Sequence, residues 1–334
     1  MVGNAPCEPS LSYRVAGTGL RLSGESGDSL ARFARWFETS FYTLPDGTAP
    51  ADITLHVETQ APLTPLFATA PPVLQSPSLQ LWRQETRCYL LLDKATCELD
   101  LQARHGALRL QPDFWRLPRK RQQEPVLLAL VWLLRECRRY SLHASAVARD
   151  GQVLVLAGES GSGKSTAALG LVRQGWRYLA DDVVLLEAAA DGPRLWGLAR
   201  GFAYHPALLA QAPELAKAAT EPADLNGEKQ FTDLDVVYPD HHLPCGSLRA
   251  LVFPQIVAQA HSRLLPLEPV QSLSALLLAS AGILTDKIHA AAQLEFLKTT
   301  VMQRPAYRLL AGRDIFGNGQ ALEALLMAGG VLER

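Results

Sequence analysis

Gly158-Glu159-Ser160-Gly161-Ser162-Gly163-Lys164-Ser165 fits the pattern GxxxxGK[ST], and the residues around it decide how the C-terminal part of the chain is read. Chance supplies such a match in roughly one chain in a hundred of this length, so the setting matters more than the pattern. Before it, Val153-Leu154-Val155-Leu156-Ala157 is a short apolar run that reads as a buried strand. After it, Thr166 to Gln174 reads as a helix that stops at Gly175. Strand, glycine-rich loop and helix in that order aim successive backbone N–H groups at one point, at the positive end of the helix, where phosphate is held. Gly158, Glu159, Ser160, Gly161, Ser162 and Gly163 are then expected to form the cradle, with Thr166 at the helix start. Lys164 reaches the β/γ-phosphates and the Ser165 hydroxyl helps to hold Mg²⁺. ATP and Mg²⁺ are the expected ligands. A ligand-free glycine turn explains neither the lysine nor the serine.

Asp181, seventeen residues after Lys164, is followed at once by Asp182. A helix carries the chain away from the loop, Gly175 turns it, and a short strand Trp176 to Ala180 returns it to the same edge of the sheet. Residues at that strand's end face the phosphates, so the two carboxylates are placed to bind metal and to accept a proton. Alternation points them to different sides. Asp181 is expected to be the base and Asp182 to lie nearer the metal.

Asp150-Gly151 is a strong two-residue hairpin signal between Ser141–Ala148 and Gln152–Gly158. That register sets His143 opposite Gly158, the first residue of the loop. A lone strand histidine is usually a core residue, but one beside a phosphate loop is also a candidate proton partner.

Composition narrows the class. The 334 residues are 48% hydrophobic and 19% charged, with 32 basic against 33 acidic side chains and a net charge of -1. The chain is neither disordered nor a dedicated nucleic-acid binder. The longest apolar run, Val126 to Leu134, is about half a membrane span, and the N-terminus shows no signal-peptide pattern. Cys7, Cys88, Cys97, Cys137 and Cys245 are scattered and form no CxxC pair. His241-His242 with Cys245 lacks a second ligand cluster and reads as a polar loop. A cytoplasmic protein without nucleic-acid or membrane partners is expected, and self-association into a homo-oligomer stays open.

The first 120 residues read as a smaller α+β unit. A helix capped by Asp28 carries Leu30, Phe33, Phe37 and Phe41 at helical spacing, and Ile53, Leu55 and Val57 alternate as in a strand. Five prolines between Pro62 and Pro77 mark an extended loop. Leu79–Arg83 and Cys88–Leu92 are short strands, and a hairpin is centred on His105-Gly106. The stretch with Pro112, Pro118, Pro125 and Arg116, Arg119, Lys120 and Arg121 reads as a solvated linker, after which Val126–Tyr140 is a helix inside the second domain. The boundary is therefore set near residue 120, giving domains 1–120 and 121–334. The first is expected to help select the substrate.

Leu142-His143-Ala144-Ser145, the glycine-rich octet and Leu179-Ala180-Asp181-Asp182 resemble, in order and spacing, the motifs of the HPr serine kinase family. The resemblance implies an α/β, phosphoenolpyruvate carboxykinase-like P-loop kinase domain. It implies transfer of the γ-phosphoryl group of ATP, with Mg²⁺, to a serine or threonine hydroxyl. In that picture Lys164 and Ser165 hold nucleotide and metal, Asp181 and Asp182 supply base and metal contact, and His143 lines the pocket. The chain departs from the family at Thr166, where a Glu is usual, and in lacking a Glu-Ile-Arg-Gly-like run after Val184. A paralogue acting on a peptide or small carrier protein is expected rather than an HPr kinase. Lys229, in Asn226-Gly227-Glu228-Lys229-Gln230, either closes over the phosphates or is a surface lysine. Gly312-Arg313-Asp314 distantly echoes a late Gly-Arg-Asn. A small-molecule kinase on free serine or a sugar remains open, as does a non-catalytic nucleotide sensor. An ABC ATPase does not, because the only Leu-Ser-Gly (Leu22 to Gly24) lies upstream of the loop.

Overall fold

The computed structural model describes residues 9–47, 50–59, 71–218, 221–222, 227–280 and 288–332. Its contacts divide the chain into Met1–Arg138 and Arg139–Arg334. Among the described residues helices and strands are mixed, and the strands build two nine-stranded sheets and one of three strands. No helix among those residues is long and apolar enough to cross a membrane.

In the first unit Ile53–Thr59 lies parallel to both its neighbours, Thr18–Gly24 and His105–Leu110. Ile53, Leu55 and Val57 are buried, as their alternation requires. Helix α1 spans Gly27–Ser40, and Ser26, not Asp28, caps it by accepting from the Ser29 amide at 3.3 Å. Asp28 sits in the first turn, where its charge favours the positive helix end. Phe33, Phe37 and Phe41 are fully buried. Leu79–Gln84 and Arg87–Leu92 form one hairpin. Ala95–Asp100 and His105–Leu110 form another, but the chain turns before His105, which already belongs to the strand. Most of the proline-rich stretch, residues 60–70, lies outside the described residues.

The basic, proline-punctuated stretch is not a linker. Pro118 opens helix α2, Arg119–Arg135, and Pro125 lies inside it. Proline leaves the Arg121 carbonyl without its helical N–H. The turn is held instead by side chains: Gln122 donates to the Leu117 carbonyl and Gln123 to the Ser40 carbonyl, both at 2.8 Å. Val126, Ala129, Leu130 and Leu133 are buried, and α2 contacts the strands Ala95–Asp100 and His105–Leu110 of the first unit. The boundary therefore falls after Arg138 and not near residue 120. The change in composition at Val126 marks the buried half of a helix, not a new domain.

In the second unit β1 (Arg139–Leu142), β2 (Ala144–Arg149), β3 (Gln152–Ala157), β4 (Arg177–Ala180), β5 (Val184–Ala189), β6 (Gly192–Gly197) and β7 (Cys245–Ile256) form a sheet in the order β1-β5-β6-β7-β3-β2-β4. The strands β8 (Arg263–Pro266) and β9 (Ala306–Ala311) extend it beyond β7. The β2–β3 hairpin has the expected register, Arg149 opposite Gln152 and Ala144 opposite Ala157. Asp150 and Gly151 both take positive φ (51° and 75°), as a type I′ turn demands. On β3, Leu154 and Leu156 enter one core cluster with α3 (Lys164–Val172) and the last helix. Val153, Val155 and Ala157 enter a second cluster with α4 (Pro269–Ala279) and α5 (Ala290–Gln303). Both faces are covered, which is why the strand reads as an unbroken apolar run. Helix α6 (Gly319–Ala328) crosses α3 so closely that a Cβ on Gly319 would lie 1.9 Å from the Gly170 carbonyl oxygen.

Leu133→Ala is expected to lower the stability of the first unit by about 2–5 kcal/mol, the cost of an emptied core site. Leu44→Ala, at a side chain 65% exposed, should cost under about 0.5 kcal/mol. Urea denaturation monitored by tryptophan fluorescence measures both.

Candidate phosphate and metal site

Between β3 and α3 the chain must turn sharply with its amides inward. Gly158, Gly161 and Gly163 do this at φ 154°, 80° and 99°, backbone conformations that strain any residue with a Cβ. Helix α3 starts at Lys164 with no side-chain cap and no acidic residue in its first turn. Gly163, the cap residue, has no side chain to accept from the leading N–H groups, which favours an electropositive helix end. Lys164 folds back over the loop and donates to the Gly158 and Glu159 carbonyls, both at 2.8 Å. Burial lowers the pKa of its ammonium and Lys229 lowers it further, while Asp181 and Asp182 act to raise it. Ser162 Oγ is buried in the loop without a hydrogen-bond partner among the described residues.

The acidic pair sits where β4 ends. That strand lies beside β2 and antiparallel to it, rather than beside β3, yet it brings Asp181 to the loop. The carboxylate of Asp181 accepts from Ser165 Oγ at 2.9 Å and from Ser145 Oγ, and the residue is only 7% exposed. Asp182 takes φ 74° and turns the other way, its side chain 39% exposed. Its carbonyl oxygen accepts from His143 Nδ1 at 3.0 Å, and its Oδ1 lies 3.5 Å from the same nitrogen.

His143 stands where the expected single strand is broken. Leu142 pairs with Val184 on β5, Ala144 with Ala157 on β3, and the His143 amide bonds instead to the Ala279 carbonyl at 2.7 Å. The break releases its ring from the sheet's alternation toward the loop.

One cavity is lined by His143, Ser160, Gly161, Gly163, Lys164, Ser165, Thr166, Asp181 and Asp182 together. Gly158, Glu159 and Ser162 line an adjoining cavity, so the structure brings every expected site residue to one loop. Lys229 also lines the first cavity. Arg313 bonds the Ala258 carbonyl and lines neither. Sequence reading missed Ser145, Tyr204, His205, Gln211 and Phe316. Ser145 had a local signal, a lone hydroxyl within the otherwise apolar run Ala144 to Ala148. Tyr204, whose buried hydroxyl has no partner among the described residues, had none.

Carboxylate and hydroxyl oxygens suit a hard cation such as Mg²⁺, which is held by one or two carboxylates together with substrate phosphates. Ser165 and Asp181 offer that donor pair. Among the described residues no group of three or more His, Cys, Asp or Glu could hold a metal alone.

No protein-family model matches the chain, and no curated protein matches it. Among solved structures it is similar to the HPr(Ser) kinase/phosphatase of Coxiella burnetii, at 12% identity and a TM-score of 0.30, over 57% of this chain and 96% of that one. The likeness is weak.

Ser145→Ala should remove one of the two hydroxyls on the Asp181 carboxylate and lower the stability of the second unit by about 1–3 kcal/mol. Chemical denaturation measures this.

Proposed function

We propose that this chain is an ATP- and Mg²⁺-dependent phosphotransferase related to the HPr serine kinases, passing the γ-phosphoryl group to a serine or threonine hydroxyl of a peptide or small protein. One observation carries the reading. The Ser165 hydroxyl is bonded to the buried Asp181 carboxylate beside a lysine-bearing phosphate loop, while a second carboxylate, Asp182, stands exposed with His143 at the same cavity.

The roles follow from those contacts. Loop amides and the α3 terminus hold the β- and γ-phosphates, and Lys164 neutralises their charge. Ser165 and Asp181 would hold Mg²⁺, which would supply Lewis-acid stabilisation of the transferring phosphoryl group. The pair is thus assigned in the reverse of the order expected from sequence: Asp181 serves the metal, and Asp182 is the base. The acceptor hydroxyl oxygen bonds to the γ-phosphorus while the bond to the bridging oxygen of ADP breaks. The hydroxyl proton passes to the Asp182 carboxylate. His143, bound to the Asp182 carbonyl through Nδ1–H, fixes that residue's orientation. A nucleotide sensor needs no second, exposed carboxylate, and this favours transfer.

Lys164→Ala should weaken ATP–Mg²⁺ binding by about 1.5–3 kcal/mol, the value of a charge-assisted contact, in a calorimetric titration. Unchanged affinity removes the phosphate-loop assignment. Asp182→Asn should bind nucleotide like the wild type and transfer phosphate roughly 10²–10⁴-fold more slowly. Asp181→Asn should instead raise the Mg²⁺ concentration needed for half-maximal binding of ATP. If the two variants behave the other way round, the base is Asp181.

A further inference from the structure

The phosphate loop separates two cavities. The first holds Thr166 and the start of α3 together with the carboxylates and Tyr204. The second, of about 550 Å³, holds the beginning of the loop, Gly158 and Glu159, and a wall from β7, α4 and β9. His143, Ser160, Gly161 and Ile256 line both. Resting on the kinase reading above, we infer that the second cavity receives the acceptor, a serine- or threonine-bearing polypeptide segment with an apolar neighbour and a nearby carboxylate.

The argument begins with direction. Residues after the lysine of such a loop hold the inner phosphates, so the nucleoside leaves past Thr166 into the first cavity. Lys164 Nζ, the contact of the outer phosphates, sits on the Gly158 and Glu159 carbonyls, which line the second. Phosphoryl transfer needs the attacking and leaving oxygens in line, on opposite sides of the phosphorus. With ADP leaving on one side, the hydroxyl arrives from the other. The residues shared by both cavities mark the meeting point; Asp182 lines the first cavity and is joined to this point by His143, which lines both.

The wall then selects the acceptor's chemistry. Phe253 and Ala275 form apolar surface, and Leu278 and Ile256 stand 77% and 48% exposed at its rim. A sugar presents hydroxyls that these side chains cannot satisfy, and free serine is too small to cover them. A polypeptide segment with an apolar side chain beside the acceptor residue covers them. Arg308, on β9, is exposed and makes no ion pair among the described residues, so it offers a carboxylate of that segment a partner. Glu159 stands on the loop itself and opposes acid close to the acceptor oxygen, so the carboxylate is expected away from the loop.

The test uses the full-length chain, γ-labelled ATP and synthetic peptides with one central serine, varied to leucine or glycine beside it and to aspartate or lysine further along. Free serine and glucose are the small-molecule probes. Wild type should prefer the leucine- and aspartate-bearing peptide. Arg308→Glu should cut kcat/KM for it about tenfold and shift the preference toward lysine. Leu278→Asp should lose about tenfold between the leucine and glycine peptides. Both side chains are exposed, and both variants should bind ATP–Mg²⁺ like the wild type. If free serine or glucose is the better acceptor, if wild type binds ATP yet labels no peptide, or if neither variant changes peptide preference, the inference is overturned and the kinase reading is judged by nucleotide binding and transfer. If wild type binds no ATP, both fall.

Discussion

The Asp181 carboxylate, gripped by the hydroxyls of Ser145 and Ser165, is the contact on which the second unit's site depends. It joins three elements that arrive separately: the hairpin strand β2, the first turn of α3 and the end of β4. A carboxylate this buried is costly unless every lone pair has a donor, so the two hydroxyls fix its position as firmly as it fixes theirs. Once Asp181 is held, the turn after it must take Asp182 outward at positive φ, and His143 finds its partner there.

The charges around the loop are set against one another. Lys164 is buried enough to lose part of its hold on a proton, and Lys229 adds to that, while two carboxylates offset only part of the loss. The ammonium donates to its own loop's carbonyls. These are weaker acceptors than the phosphate oxygens of the nucleotide we propose, which would replace them.

The first unit rests on different physics. Its helices bury aromatic and aliphatic side chains on one sheet, and Phe33, Phe37 and Phe41 are fully buried. Pro125 inside α2 is tolerated because Gln122 and Gln123 spend their amides on nearby backbone carbonyls, and because the residues after it are buried. Local rules read the prolines and arginines there as a linker. Burial of Val126, Ala129, Leu130 and Leu133 outweighs that propensity.

What the sequence determined was local. The Asp150-Gly151 turn dictated its own register, because only a primed two-residue turn matches the twist of the flanking strands. The glycines at 158, 161 and 163 dictated a loop of positive φ, and the apolar run before it dictated a strand covered on both faces. Those constraints act between residues a few positions apart, so they are written in order along the chain. Tertiary structure decided which strand β4 would join, that the strand would break at His143, that Asp181 would turn inward and Asp182 outward, and that α2 would belong to the first unit. It also gathered Tyr204, Gln211 and Phe316 onto the cavity. Each of these follows from which distant surfaces bury one another and which buried polar atoms find partners, and no spacing along a single chain encodes that.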